Sequence, residues 1–244
     1  MDMRSIAKYR CGFYYDQLGI DQQFLYRKIA SSVSCYKSEI DVDEDKNSIH
    51  KVKLAIQYDN PELFYWSADK SVVKNKTLDL SYSTETEEEA INLVNMVREK
   101  RRIILQELSD ERLSQMDMFS RVYDYFVETM KYADDELQKP GCTPWIYDIQ
   151  GPFLHERGVC LGIAQAVNYI CMALHIPSIL ITGEAKVAGW IGNHGWNMVE
   201  LNGEYFHIDA TCDVCEGERR KYYLKKDKDF ADRQWSKTLY PQAV

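Results

Sequence analysis

Apolar residues recur at helical spacing through Val159, Cys160, Ile163, Ala164, Val167, Ile170, Cys171 and Leu174, and this predicts a helix. Gly158 precedes the run, and Pro177 forbids its continuation past His175. The period then changes. Gly195 to Leu201 reads as a strand, Asn202-Gly203 is a strong short turn signal, and Glu204 to Ala210 reads as the return strand. Upstream, Asp21 is placed to cap a helix through Phe24, Leu25, Ile29 and Val33, with Ile20 stapling to Leu25. Asp41 to Asp45 reads as a loop, and Lys51 to Gln57, Leu63 to Ser67 and Thr77 to Ser83 read as strands. Asp59-Asn60-Pro61 reads as a turn. Thr86 with Glu89 forms a capping box ahead of Ile91, Val94, Val97 and Ile104. A further helix after Ser109 carries Met116, Phe119, Tyr123, Phe126 and Met130, and a loop containing Pro140-Gly141 follows Leu137. Helices and strands in this order predict an α/β (α+β) protein. The boundary is set at Ser83: 1–83 forms an N-terminal helix-and-strand region, and 84–244 the larger domain. No linker-like sequence separates them, so the N-terminal region is expected to pack on the rest.

Composition narrows the class. A 45% hydrophobic and 12% aromatic chain with 12 Gly and 6 Pro is that of a folded protein. A net charge of −8 argues against nucleic acid or an anionic membrane as a partner. The basic run Arg219-Arg220-Lys221 with Lys225, Lys226 and Lys228 is interrupted by acids and reads as a solvated face. No apolar run approaches the roughly 20 residues of a spanning helix. Met1-Asp2-Met3-Arg4 lacks the apolar core of a signal peptide, so a cytoplasmic protein is expected, or a secreted one whose leader has been removed. Seven cysteines are an odd number, which suits either one unpaired catalytic thiol or a reducing compartment with no bridges.

The helix and the hairpin bring together the chemistry of a nucleophile, a base and an orienting acid. Cys160 opens the helix, where the dipole and unpaired backbone N–H groups favour thiolate. Cys171, three turns on, lacks that position and reads as a core residue. Gly162 and Ala164 leave the first turn with little bulk, so another element can approach the thiol. With Asn202-Gly203 as a two-residue loop, Leu201 faces Glu204 and Trp196 faces Asp209. His194 and Asp209 then share a face as diagonal neighbours, roughly 7–8 Å apart at the backbone. His207 lands on the same face, so parity alone does not choose between the two histidines.

Three segments carry a resemblance: Gly158-Val159-Cys160-Leu161-Gly162, His194-Gly195-Trp196-Asn197, and Phe206-His207-Ile208-Asp209-Ala210-Thr211. In this order they resemble the transglutaminase-like superfamily, which shares a papain-like cysteine-protease core. The resemblance implies a catalytic helix packed on an antiparallel sheet, with Cys160 as nucleophile, His194 as base and Asp209 as orienting acid. Leu174-His175-Ile176-Pro177, Leu180-Ile181-Thr182-Gly183 and Tyr222-Tyr223-Leu224 are similar to flanking pieces of that family. Three positions depart from its pattern. Leu161 stands where a polar residue is common, Gly195 stands for Ala, and Cys212 stands where a Trp follows the Thr.

The resemblance also implies acyl transfer on a peptide or carboxamide through a thioester, with hydrolysis favoured over protein crosslinking. A non-catalytic module holding a peptide or glycopeptide is the competing class. Peptide or protein is the expected substrate, and the N-terminal region could recruit a protein partner. Gln150 and Tyr147 are competing donors for an oxyanion. Trp190 and Trp196 are candidates to line the cleft, with a core role equally open for Trp196. His155 reads as a surface loop residue. Cys212 and Cys215 supply two ligands where zinc needs four, and Cys11, Cys35, Cys142 and Cys171 form no second pair. No metal and no organic cofactor are therefore expected. Inert thiols or a labile disulfide remain open for Cys212 and Cys215.

Overall fold

The computed structural model describes residues 5–139, 141, 143–187 and 190–244, with only the backbone described for Val187 and Trp190. Pro140 of the expected loop, Cys142 and the Trp190 side chain thus lie outside the described residues. The chain divides into two compact units, 1–96 and 97–244.

The first unit contains α1 (Phe13–Asp16), α2 (Ile20–Ser34), β1 (Glu39–Asp41), α3 (Lys46–Asp59), β2 (Val72–Lys74), β3 (Thr77–Asp79) and the start of α4 (Glu87–Leu108). Its three strands form an antiparallel sheet in the order β1-β3-β2. Several expectations are corrected here. Helix α2 begins at Ile20, whose side chain is 86% exposed and staples nothing. Gly19 is the cap, and its N–H donates to the Gln22 side chain. Lys51 to Gln57 is helical, not a strand. Asp45 accepts from the N–H groups of Asn47 and Ser48, and Ile49, Val52 and Ile56 bury one face at helical spacing. Leu63 to Ser67 is not a strand either, because Pro61–Leu63 forms a 3-10 turn. The Thr77 strand is short and pairs back on β2 through Asn75 and Lys76, both at positive φ. Asp59 is buried and gathers N–H donors from Gly12, Tyr14 and Tyr15 and the Tyr26 hydroxyl, which ties α1 and α2 to the end of α3.

The second unit contains the rest of α4, then α5 (Gln115–Thr129), β4 (Lys131–Tyr132), α6 (Asp134–Leu137), β5 (Arg157–Gly158), α7 (Cys160–Ala173), β6 (Ser178–Val187), β7 (Trp190–Leu201), β8 (Glu204–Ile208), α8 (Ala210–Glu216) and β9 (Arg233–Gln234). At the start of α4, Thr86 Oγ1 accepts from Glu89 N–H, while the Glu89 carboxylate takes the N–H of Glu85 rather than that of Thr86. Ser114 caps α5 by accepting from Asp117 N–H at 3.1 Å. Four strands form an antiparallel sheet in the order β8-β7-β6-β9. The fold is mixed α/β, with helix α7 against one face of this sheet.

Two close approaches explain small residues. A Cβ at Gly162 would meet the Ile146 carbonyl oxygen at 2.5 Å and the Asp148 carbonyl oxygen at 3.0 Å, so the 146–148 backbone lies directly over the first turn of α7. A Cβ at Gly183 would collide with the Gln234 carbonyl oxygen, so this glycine lets β9 close the sheet edge. No helix among the described residues is long and apolar enough to cross a membrane.

Candidate functional site

The hairpin register is the one the turn predicts. Leu201 pairs with Glu204 and Asn197 with Ile208, and Asn202 and Gly203 take φ of 53° and 82°. The pairing ends one residue early, however. Asp209 leaves the strand and becomes the N-cap of α8, where its side chain accepts from Cys212 N–H at 3.1 Å. The expected strand residue Ala210 is the first residue of that helix. Asp209 thus has two tasks, capping α8 and contacting His194.

Asp209 Oδ2 lies 2.7 Å from His194 Nε2, with both side chains buried. Cys160 is the first residue of α7 and only half-buried, and its thiol shares a hydrogen bond with the His194 imidazole. Helix α7 reaches the strand through backbone and side chain together: Asn197 Nδ2 donates to the Ala164 carbonyl at 2.9 Å, and Gly195 sits against Leu161. Alanine would fit at Gly195, since its Cβ would lie 3.6 Å from the nearest Leu161 atoms.

The electrostatics of the pair are coupled. Burial works against a charged imidazole. The charge of Asp209 and its hydrogen bond, with hydrogen bonds from Cys160 and Cys212, outweigh burial and raise the His194 pKa. Burial alone would likewise raise Asp209, but His194 and Arg233 hold it below the usual carboxylate range.

His207 is resolved by its partners. Its Nδ1 accepts from Trp196 Nε1–H at 3.0 Å, and its Nε2 lies 2.9 Å from Asp227 Oδ1. Both ring nitrogens are therefore occupied, and no thiol shares them. Of the two roles open for Trp196 it takes the one in the core: at 1% exposure it lies between the two histidines, against Phe230 and Trp235.

The oxyanion candidates stand near the thiol's helix. Gln150 is half-buried and donates its own N–H to Asp148 Oδ1 at 2.7 Å. Tyr147 is 38% exposed. Both follow Ile146, whose carbonyl accepts from Val159 N–H at 2.9 Å just ahead of Cys160. Parallel pairing of β4 with β5 brings in Tyr132, which the sequence reading did not single out as a site residue. Burial raises its pKa, and the neighbouring charge of Cys160 adds to this. His155 packs its ring against Trp145.

Arg233 was missed entirely. Its buried guanidinium donates to Asp209 Oδ2 at 2.7 Å and to Cys212 Sγ at 3.1 Å. Cys212 is 3.0 Å from the same carboxylate oxygen and 3.8 Å from His194 Nε2. Burial, then the charge of Asp209, push the Cys212 thiol up to about 12. Cys215 is on the outer side of α8 and exposed. His194, Asp209 and Cys212 offer ligand atoms within 4.8 Å of one another. The set does not suit a cation, because the Arg233 guanidinium already donates to two of the three groups.

A thiol at a helix start, an imidazole and a buried carboxylate define a cysteine-enzyme-like core. Residues 102–210 match the family model described as the transglutaminase-like superfamily, so this part of the chain is similar to that superfamily. No curated protein matches the sequence. Among solved structures, one called a TGase is 12% identical with a TM-score of 0.43, covering 79% of this chain and 54% of its own. A candidate cysteine protease from Cytophaga hutchinsonii is 16% identical with a TM-score of 0.37, covering 59% of this chain and 50% of its own. A candidate protease from Parabacteroides distasonis is 13% identical with a TM-score of 0.34, covering 58% of this chain and 33% of its own. The chain thus spans about half or less of the length of these structures.

Proposed function

We propose that this protein is a cysteine-dependent acyl-transfer enzyme that cleaves peptide or carboxamide bonds, with Cys160 as nucleophile, His194 as base and acid, and Asp209 as the acid that orients His194. One observation carries the reading: the imidazole on which the half-buried thiol at the start of α7 acts is held by a buried carboxylate at 2.7 Å. The Cys160 thiolate attacks the carbonyl carbon, and the oxyanion that forms accepts from the Cys160 backbone N–H and from Gln150 or Tyr147. Collapse breaks the C–N bond, and the leaving amine takes its proton from His194. The thioester is then resolved by water, whose proton His194 accepts, giving a carboxylic acid and the free thiol. A primary amine in place of water would give a crosslink, and hydrolysis is the favoured outcome.

The test incubates the full chain with peptide and glutamine-donor libraries and looks for an acyl adduct on Cys160 by mass spectrometry. Acid products accumulating with water, and an adduct lost in Cys160→Ala, support hydrolysis. Amide products with an added primary amine at the expense of acid support crosslinking. Tight peptide binding that is unchanged in Cys160→Ala, with no adduct under any condition, overturns the enzyme reading in favour of a peptide-binding module.

A further inference from the structure

Four donors converge on the Asp209 carboxylate: His194 Nε2, Arg233 Nη2 and the Cys212 thiol on Oδ2, and Cys212 N–H on Oδ1. Arg233 reaches it from β9, which closes the far edge of the sheet over Gly183. The guanidinium is fully buried, held between the rings of Phe230 at 4.2 Å and Tyr222 at 4.7 Å, with its other nitrogen on Asp232 at 2.7 Å. A buried arginine directed at a carboxylate that already has an imidazole partner requires a reason, since each buried charge is costly to desolvate.

Counting charges supplies it. A reactive thiolate–imidazolium pair beside Asp209 contains two negative groups, Cys160 and Asp209, and one positive group, His194. Without another cation the imidazolium is neutralised by Asp209, and the thiolate carries an unmatched charge. We infer that Arg233 is a positioning residue that supplies the second positive charge, holding Asp209 so that the His194 charge is available to the Cys160 thiolate. The inference rests on the triad reading above, and Arg233 acts through Asp209 rather than on substrate.

The other titratable groups around this cluster do not provide that charge. Helix α8 contributes Cys212, Asp213, Cys215 and Glu216, helix α5 contributes Tyr123, and Tyr222 and Asp232 flank the guanidinium itself. All are neutral or negative. Lys221 is engaged by Glu216 and the Tyr222 ring, and burial lowers the pKa of His207 on β8, with Arg233 itself adding to the lowering.

The experiment follows iodoacetamide labelling of Cys160, mapped by peptide, across pH 4 to 9 in the full chain and in Arg233→Gln, Arg233→Lys and Arg233→Met. Thermal unfolding of each variant reports folding separately. The expected result is that the acid limb of the labelling profile follows charge, moving up by about one pH unit or more in Arg233→Gln and Arg233→Met. That corresponds to a loss of about tenfold in rate on the acid side, where log rate is linear in pH. Arg233→Lys keeps the limb near its wild-type position. Arg233→Gln retains a hydrogen-bond donor, so it serves if Arg233→Met does not fold. Folded Arg233→Gln with a wild-type limb, or Arg233→Lys shifted as far as Arg233→Gln, overturns the inference while leaving the triad reading standing. Should wild-type Cys160 label no faster than Cys215 at pH 6, the triad reading falls instead, and the inference with it.

Discussion

One sheet carries two buried histidines, each paired with an aspartate, with Trp196 between them. His194 meets Asp209 at 2.7 Å, and His207 meets Asp227 at 2.9 Å. By residue type and separation the pairs are alike. They differ in their further partners. His194 is acted on by a thiol on another helix, whereas His207 fills its second nitrogen with the Trp196 indole N–H. A ring accepting on one nitrogen and donating on the other is locked in its neutral tautomer, and protonation would break the Trp196 bond. Their pKa shifts accordingly run in opposite directions. Burial dominates for His207 and lowers it; for His194, Asp209 overcomes burial and raises it. An aspartate beside a histidine does not by itself fix the direction of its pKa shift; the remaining partners and burial decide it.

The sharpest break in this comparison is His194→Gln against His207→Gln. Loss of His194 is expected to reduce acyl transfer by about 10³-fold or more. Loss of His207 leaves the rate within a few-fold but strands a buried indole N–H, lowering stability by about 1–3 kcal/mol. Turnover of a cleavable peptide alongside thermal unfolding separates the two. Equal loss of activity at both sites would mean that the second pair is part of the machinery.

Asp209→Asn comes next. Removing the acceptor that fixes the His194 tautomer is expected to reduce turnover roughly 10²–10⁴-fold. The buried Arg233 also loses one of its two carboxylate partners and keeps Asp232, so the variant should unfold at lower temperature. Asp227→Asn, its counterpart, should spare turnover. Its carboxylate accepts from Lys237 at 3.1 Å and from Ala243 N–H, so the damage falls on the C-terminal segment. Limited proteolysis of that segment, with activity measured in parallel, checks the contrast.

Much of this contrast was legible in the chain, and what was not has physical causes. Cys160 could be found because a glycine, an apolar run and a proline bracket its helix. His194 could be placed because Asn202-Gly203 sets a register that the structure keeps. Parity could not separate the histidines, since both are on one face; the choice lies in Trp196 Nε1 and in how α7 docks through Asn197 and Gly195. Asp209 reads as a strand residue because the return strand after Asn202-Gly203 is carried through to Ala210, while the capping signal is an Asp whose side chain meets the N–H three residues on. Arg233 gave no local signal. It is on a two-residue strand, in a segment without periodicity, and only the sheet edge brings it to Asp209. In the first unit, α3 was read as a strand because Val52, Leu54 and Ile56 alternate, yet Ile49, Val52 and Ile56 also fit a helix, and Asp45 as a cap decides it.

The smallest effect to seek is the pH dependence of stability, where the two histidines should pull in opposite directions. For His207 the folded pKa is below the unfolded value of about 6.5, so the unfolded chain binds more protons as the pH falls. Its contribution is complete above about pH 6.5 and is lost on acidification through the folded pKa. For His194 the folded pKa is above the unfolded value, so the folded chain binds more protons as the pH rises past 6.5. That contribution is complete below about pH 6.5 and is lost towards alkaline pH. Unfolding by urea between pH 5 and 9 should therefore show stability falling away from a maximum on both sides. His207→Phe should flatten the acid side alone, and His194→Phe the alkaline side alone. If His207→Phe leaves the acid slope unchanged, that ring is protonated in the folded protein, its bond to Trp196 is not the one described, and the distinction between the two pairs fails.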